Sequence, residues 1–235
     1  MREISMSKLE EFNEYYKETF PESFNDKYIP IECLQHGNET ITLLAIKKST
    51  NEKYIVKCYS KTHPAYEGTT WEQIKNLNCT GIVSYIEDFQ DDKVRCYVRE
   101  YIEGQTLTEK REKNKFTEDE VIRYGQDLCN ILDYLHNQTP SIIHRDIKPD
   151  NIIVRPDGSI CLIDFGTART LKENASSDTE FAGTREYAAP EQYGFKQTDE
   201  KSDIYSAGVL LNWMLYGTTK PNDQRKTRLD NVIQK

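Results

Sequence analysis

The chain has 235 residues, 37% hydrophobic and 30% charged, a composition that can bury a substantial core and that excludes a disordered protein. Its formal net charge of −8 argues against a broad nucleic-acid-binding face, which would need clustered Lys and Arg. No run approaches the roughly 18–20 apolar residues needed to span a bilayer, and the N-terminus lacks the apolar core of a signal peptide.

The six cysteines are scattered, with no CxxC pair and no nearby His cluster. They are Cys33, Cys58, Cys79, Cys96, Cys129 and Cys161. This spacing does not favour a zinc site, and a chain of this size does not need a disulfide framework. We expect reduced, mostly buried thiols in a cytoplasmic protein.

Residues 1–27 are acidic and aromatic and are predicted to form an N-terminal helical extension. Leu9, Phe12, Tyr16 and Phe20 recur at spacings of three and four, which is typical of an amphipathic helix. We expect this segment to cover an apolar patch on the main body, with a regulatory role as the alternative.

Residues 28–102 have the pattern of a small antiparallel sheet with one helix. The runs ITLLAIKK and KYIVKCYS, separated by Ser-Thr-Asn, predict a hairpin. TWEQIKNL has helical spacing, and IVSYIEDF with KVRCYVREYI predicts a second antiparallel pair.

Residues 103–235 are predicted to be mainly helical. Thr117 and Glu120 form a capping box at a helix start. The apolar face of this helix is Val121, Tyr124, Leu128, Ile131, Leu132 and Leu135. IIVRPDGSICLID predicts a hairpin, and SDIYSAGVLLNWMLYG, apolar nearly all round, predicts a buried helix.

Three polar blocks stand in the second part: HRDIKPDN at 144–151, DFG at 164–166 and GTREYAAPE at 183–191. In this order and spacing they resemble the catalytic domain of eukaryotic-type (Hanks-type) protein Ser/Thr kinases, over about residues 31–217. The resemblance implies an α+β, two-lobed fold. Its N-lobe, 28–102, would be a small antiparallel sheet. Its C-lobe, 103–235, would be mainly helical and truncated at the C-terminal end. ATP would bind in the cleft between the lobes.

Phosphoryl transfer depends on charge neutralisation and in-line positioning. Carboxylate and amide oxygens suit Mg²⁺, so Asn151 and Asp164 are the expected metal ligands, with Mn²⁺ as the alternative ion. Asp146 is expected to orient the substrate hydroxyl, and Lys148 to neutralise charge on the γ-phosphoryl group. By resemblance, Thr184 bridges Asp146 and Lys148, and this pattern is that of serine/threonine rather than tyrosine kinases.

The resemblance also suggests how the site is held and regulated. Asp203 matches an aspartate that hydrogen-bonds the backbone of the HRD turn. Arg145 matches an arginine that a phosphorylated activation loop usually neutralises. Thr179 is a candidate phosphorylation site, and Glu180 is a candidate fixed substitute for the phosphate; the choice stays open.

In the first lobe, Lys57 matches the strand lysine that contacts the α- and β-phosphates. Lys47 is the alternative, and it is less favoured because its run must be the preceding strand of the hairpin. The three glycines of the phosphate-covering loop fall on Gln35, Gly37 and Thr40, so only Gly37 is present. This loss should weaken the backbone cradle for phosphate.

The helical glutamate that should pair with the strand lysine is missing, because Thr70 stands in its place. Glu67 and Glu72 both remain as substitutes. Arg99 stands at the back of the adenine pocket, where a buried guanidinium needs a partner, and Glu67 is the one proposed.

By resemblance, the backbone of Glu100 and Ile102 binds adenine. The residues expected to line the adenine slot are Thr42, Ile55, Leu107 and Ile153.

The sequence therefore predicts a kinase that uses Mg·ATP to phosphorylate Ser/Thr hydroxyls of proteins, including its own. The alternative is a pseudokinase or kinase-derived binding module, favoured by the departures in the first lobe. A small-molecule kinase is disfavoured, because the GTxxYxAPE pattern belongs to a peptide-binding segment. Oligomeric state stays open.

Overall fold

The computed structural model describes residues 20–66, 70–170, 183–193 and 197–220. The predictions for Leu9, Phe12 and Tyr16, for Glu67, and for the candidate pair 179–180 lie outside these ranges. The chain divides into two compact units. The sheet unit comprises the described residues of Met1–Asn76 and Ser84–Tyr101, and the helical unit those of Leu77–Val83 and Ile102–Lys235.

The sheet unit is built on one antiparallel sheet of five strands in the order β1-β2-β3-β5-β4. Its elements are α1 (Glu22–Lys27), β1 (Tyr28–His36), β2 (Thr40–Lys47), β3 (Lys53–Ser60), α2 (Trp71–Lys75), β4 (Tyr85–Gln90) and β5 (Val94–Glu100). Both predicted hairpins are confirmed, β2 with β3 and β4 with β5.

The segment before β1 covers one face of this sheet. Phe20 and Phe24 are buried in a core with Tyr28, Val56 and Cys96, and the rings of Phe24 and Tyr28 stack at 5.4 Å. Because successive strand residues point to opposite faces, this core takes alternate positions of β3 and β5. Phe20 and Phe24 thus cover apolar surface of the sheet, and the extension over residues 1–27 as a whole stays a prediction.

A charged cluster lies at the edge of this unit, on β4. Glu87 accepts hydrogen bonds from Lys27 Nζ at 2.6 Å and from the Tyr28 hydroxyl at 2.7 Å. Burial alone would raise the pKa of Glu87, but these bonds outweigh it and the pKa lies below its usual value. The same bond and burial raise the pKa of Tyr28 above its usual range.

The helical unit contains two long helices and several short strands. Its elements are β6 (Gln105–Thr106), α3 (Leu107–Lys113), α4 (Glu118–His136), β7 (Ile142–Ile143), β8 (Ile152–Val154), β9 (Ile160–Leu162), β10 (Arg169–Thr170) and α5 (Glu200–Tyr216). The predicted hairpin of β8 and β9 is confirmed, and β6 pairs with β8.

Helix α4 follows its prediction closely. Thr117 accepts a hydrogen bond from the N–H of Glu120, whose carboxylate accepts one from the Thr117 N–H, so the capping box is confirmed. All six residues of the predicted apolar face are buried. A matching capping box of Thr106 and Glu109 begins α3.

The prediction that α5 is a buried helix rather than a surface one holds for only part of its residues. Ile204 is 54% exposed and Tyr205 49%, whereas Ser202, Ala207 and Leu210 are buried. Helix α4 and strand β7 pack on α5. A helix sequence that is apolar all round does not predict which of its faces the neighbouring elements cover.

The sheet unit is mainly antiparallel sheet and the helical unit mainly helical, which agrees with the expected α+β, two-lobed fold. Among the described residues, none of the helices combines the length and the apolar character that a membrane crossing requires.

Candidate functional site

One buried carboxylate holds the turn at residues 144–145. Asp203, in the first turn of α5, accepts hydrogen bonds from the backbone N–H groups of His144 at 2.9 Å and Arg145 at 2.8 Å. The ring Nε2 of His136, at the end of α4, lies 2.9 Å from Asp203 Oδ2. Because a fully buried carboxylate needs such partners, Asp203 fixes the loop that follows, as the sequence predicts.

The backbone around this turn is strained. Arg145 and Asp164 have φ values of 65° and 67°, in the left-handed region that costs non-glycine residues about 1–3 kcal/mol and that recurs at functional sites. Gly183, with φ of 114°, lies against the same turn, and a Cβ there would be 2.4 Å from the Arg145 carbonyl oxygen. Only glycine allows this approach.

Asp146, Lys148 and Thr184 form one hydrogen-bonded group. The Thr184 hydroxyl donates to Asp146 Oδ1 at 2.7 Å and accepts from Lys148 Nζ at 2.8 Å. Lys148 Nζ also lies 3.1 Å from Asp146 Oδ2. The structure thus brings together the three side chains that the sequence assigned to substrate positioning and charge neutralisation.

Asn151 extends this group towards Asp164. Its Nδ2 donates to the Asp146 backbone oxygen at 2.8 Å and to Asp146 Oδ2 at 2.9 Å, which orients the amide oxygen away from the carboxylate. The N–H of Ile163 donates to the Asn151 carbonyl at 2.8 Å, so the β8–β9 hairpin brings Asn151 close in the fold to Asp164.

These two oxygen donors fit Mg²⁺. An amide and a carboxylate are both hard ligands, and Mg²⁺ usually keeps several waters and phosphate oxygens in its shell. Within the described ranges, no cluster of three or more His, Cys, Asp or Glu side chains is placed to hold a metal ion. A site built from Asn151 and Asp164 would leave positions on the ion for waters and phosphate oxygens.

In the sheet unit, Lys57 and Lys47 occupy different environments. Lys57 lies in the middle of β3, opposite Thr42 of β2 and Tyr97 of β5. Lys47 ends β2, with its Nζ 3.9 Å from Glu87 at the edge of the unit. Because Lys47 belongs to β2, the strand that precedes β3 in the hairpin, the order of strands agrees with the choice of Lys57 over Lys47.

The loop that carries Gly37 is a tight turn. The N–H of Gly37 donates to the carbonyl of Thr40 at 2.8 Å, which closes the β1–β2 hairpin with Gln35 opposite Thr42. Only Asn38 and Glu39 lie between the bonded residues, so the turn holds a single glycine, as the sequence shows.

No glutamate of α2 is placed as the expected partner of the strand lysine. Thr70 is buried at the N-cap of α2, and the Glu72 side chain is exposed. Arg99 donates from Nη1 to the carbonyl of Glu100 at 3.2 Å. Of the two substitutes, Glu67 lies outside the described residues, so its pairing with Arg99 stays a prediction.

The predicted adenine-binding residues divide between the two units. In the sheet unit, Ile55 is buried on β3 opposite Arg99, and Glu100 exchanges hydrogen bonds with Ser84 at the end of β5. In the helical unit, Ile102 and Leu107 are buried.

Ile153 lies on β8 of the helical unit, against a glycine. Gly104 has φ of 150°, and a Cβ there would be 2.3 Å from the Val154 carbonyl and 2.7 Å from Ile153 Cγ2. Gly104 therefore lets residues 102–106 pack directly on the strand that carries Ile153.

Comparison with known proteins agrees with this geometry. The family model for the protein kinase domain matches residues 28–235. The chain belongs to the protein kinase domain family. Among similar curated proteins are sperm motility kinase 2B of Mus musculus, 30% identical over 202 residues, and the RAC family serine/threonine-protein kinase homolog of Dictyostelium discoideum, 34% identical over 182 residues.

These alignments cover 83% and 73% of this chain but only 41% and 40% of the two relatives. Serine/threonine-protein kinase 36 of Pongo abelii is 35% identical over 147 residues, which are 63% of this chain and 11% of that protein. The kinase domain described here thus spans less than half the length of these curated relatives.

Sequence reasoning missed three residues that support the site of this kinase domain. His136 contacts Asp203, Gln192 Nε2 donates to the Arg145 carbonyl at 2.8 Å, and the Thr167 hydroxyl donates to the His144 carbonyl at 3.1 Å. Each acts through a backbone group or a residue distant in sequence. Only the apolar-face pattern of α4, which ends at His136, could have indicated one of them.

Arg145 has an unusual environment for a guanidinium. Its Nε donates to the Thr167 carbonyl at 2.7 Å. Burial, together with the nearby charge of Arg169, lowers its pKa to about 10. A nearby anion would offset the repulsion between these two positive charges; neutralisation of Arg145 by a phosphorylated activation loop stays a prediction.

Proposed function

We propose that this chain is an ATP-dependent protein kinase that transfers the γ-phosphoryl group to Ser/Thr hydroxyls of proteins, including its own. The observation that carries the proposal is the bonded group of Asp146, Thr184 and Lys148. It presents a carboxylate that can accept the proton of a substrate hydroxyl, beside a cation that can neutralise an equatorial phosphoryl oxygen.

In the proposed reaction, Asp146 orients the attacking hydroxyl, and Lys148 stabilises the charge that develops on the transferred group. Thr184 holds the two side chains at a fixed separation, so little reorganisation is needed as the reaction proceeds. The chain's Asp203 acts indirectly, because it fixes the backbone from which Asp146 projects.

Asn151 and Asp164 would hold Mg²⁺, which when bound neutralises phosphate charge and orients the nucleotide. Asn151 also restrains Asp146 through its Nδ2, and so links metal binding to the position of the hydroxyl acceptor. In the sheet unit, we assign Lys57 to the α- and β-phosphates, and the backbone of Glu100 to adenine. A cytoplasmic location is part of the proposal, since a reducing compartment keeps the six cysteines in their free state.

One observation favours a second candidate, a pseudokinase or kinase-derived binding module. Thr70 is buried where the family has a glutamate, and Glu72 is exposed. Because Thr70 supplies no carboxylate at this position, the strand lysine would have to be oriented towards phosphate by other groups. Weaker orientation would reduce phosphoryl transfer more than it reduces binding of the nucleotide.

The test is incorporation of phosphate from ATP labelled at the γ position, into the chain itself and into a generic basic protein, with Mg²⁺ or with chelator. Acid hydrolysis of the product would identify phosphoserine or phosphothreonine. The proposal predicts Mg-dependent label on these two residues. Binding of ATP in a thermal-shift assay without any transfer would support the pseudokinase alternative instead.

A further inference from the structure

Two thiols meet directly across the sheet of the sheet unit. Cys58 of β3 and Cys96 of β5 are paired residues in the antiparallel register, and both are at most 1% exposed. Their sulfur atoms lie 2.6 Å apart. An N–H···O hydrogen bond usually measures 2.7–3.2 Å between its heavy atoms. The two sulfurs are larger atoms and yet lie closer together, so they are in direct contact.

The backbone already has the geometry that a disulfide needs. Directly opposed residues of antiparallel strands have Cα atoms about 4.5–5.5 Å apart, within the 4.4–6.8 Å that disulfides span. The five-stranded sheet fixes this register on both sides, because β3 also pairs with β2 and β5 with β4. A bond between the two sulfurs would therefore need only side-chain adjustment.

We propose that Cys58 and Cys96 form a cross-strand disulfide, with a peroxide as the two-electron oxidant. One thiol is first oxidised to a sulfenic acid as peroxide is reduced to water; the other thiol then displaces a second water and closes the S–S bond. In total, two S–H bonds are lost, one S–S bond forms, and hydrogen peroxide becomes two molecules of water.

The surroundings of the pair set its expected kinetics. Burial, with the neighbouring thiol, raises the pKa of Cys96 well above its usual range, so little of the reactive thiolate is present. Oxidation should therefore be slower than alkylation of an exposed thiol such as Cys129 on α4. Because the pair is buried in a core with Phe24 and Phe89, a reductant should reach the finished bond slowly in the folded protein.

The bond would join residues that are 38 positions apart in sequence. Closing a loop of that length restricts the unfolded chain, so we expect the oxidised protein to melt at least about 5 °C higher than the reduced protein. Because neighbouring strand residues point to opposite faces, the disulfide lies on the face away from Lys57.

The experiment uses the full chain, reduced and then treated with hydrogen peroxide. Both samples are denatured, alkylated and measured as intact proteins and as peptides. The reduced chain should take up six alkyl groups, one for each cysteine, and the oxidised chain two fewer. The peptide map should contain one linked pair, with Cys58 and Cys96, that dithiothreitol separates after denaturation.

The control variants are Cys96→Ala and Cys161→Ala, which remove equally buried thiols from β5 and from β9. The linked peptide should disappear from the first variant and persist in the second. Full alkylation of both thiols in peroxide-treated wild type, or linkage of either one to another cysteine, would overturn the proposal. The wild-type peptide map decides even if Cys96→Ala does not fold.

Discussion

Replacement of Thr184 by valine tests the role of the hydroxyl that joins Asp146 and Lys148. Valine has nearly the same shape but neither donates nor accepts, so both bonds, at 2.7 and 2.8 Å, are lost. Lys148 Nζ and Asp146 Oδ2, 3.1 Å apart, can remain paired. The variant therefore removes the positioning and keeps the charges.

The size of the effect follows from the charged partners. Hydrogen bonds to charged groups contribute about 1.5–3 kcal/mol. If one such contribution is lost in the transition state, kcat should fall by about 10- to 150-fold. The KM for ATP should change by less than about threefold, because Thr184 is not assigned to nucleotide binding.

The assay is steady-state phosphate transfer to a basic protein, at varied ATP, with thermal melting of each variant as the folding control. Thr184→Ser keeps the hydroxyl and should recover most of the wild-type kcat. Wild-type kcat in Thr184→Val, or a loss that appears only in the KM for ATP, would refute this account of the hydroxyl.

Three further changes test the fold, near the site and at the edge of the sheet unit. Asp203→Asn replaces one buried acceptor oxygen by a donor, so one backbone N–H loses its partner; we expect a loss of about 1–3 kcal/mol in unfolding free energy by denaturant titration, together with reduced transfer. Gly104→Ala places a Cβ 2.3 Å from the Val154 carbonyl at a φ of 150°, and should lower the melting temperature by several degrees; an unchanged melting temperature would contradict the close packing. The pKa of Glu87 in the folded protein lies below its ordinary value of 4.5, so the ionised carboxylate stabilises the fold above pH 4.5, and this stabilisation is lost as the pH falls through the folded-state pKa. Acid titrations of the unfolding free energy should therefore show a smaller loss below about pH 4.5 in Glu87→Gln than in wild type.

Local features of the fold could be predicted from the sequence. The capping box of Thr117 and Glu120 and the apolar face of α4 depend on spacings of three and four residues, which the helix imposes. The β8–β9 hairpin followed from its turn residues. The motif blocks predicted the group of Asp146, Lys148 and Thr184, because the resemblance carries information about distant residues that spacing alone does not.

Long-range packing could not be predicted in the same way. The exposure of Ile204 and Tyr205 depends on which elements cover α5, and the hydrophobic pattern is the same on both sides of that helix. The contact of Cys58 with Cys96, which are 38 positions apart in sequence, depends on the register of β3 with β5. The sequence predicted mostly buried thiols, of which Cys58, Cys96 and Cys161 are buried, but it did not predict that two of them would meet.

The most direct test of the proposed activity compares Asp146→Asn with Asp150→Asn. Both variants remove one carboxylate from the same loop, but Asp146 is buried against Lys148 and Thr184, whereas Asp150 is exposed. The measurement is the initial rate of Mg-dependent label transfer from ATP, with ATP binding measured in the same samples. We expect Asp146→Asn to bind ATP but to lose transfer by at least about 100-fold, and Asp150→Asn to stay within about threefold of wild type. Equal rates for all three proteins, or no transfer by wild type that binds ATP, would contradict this expectation.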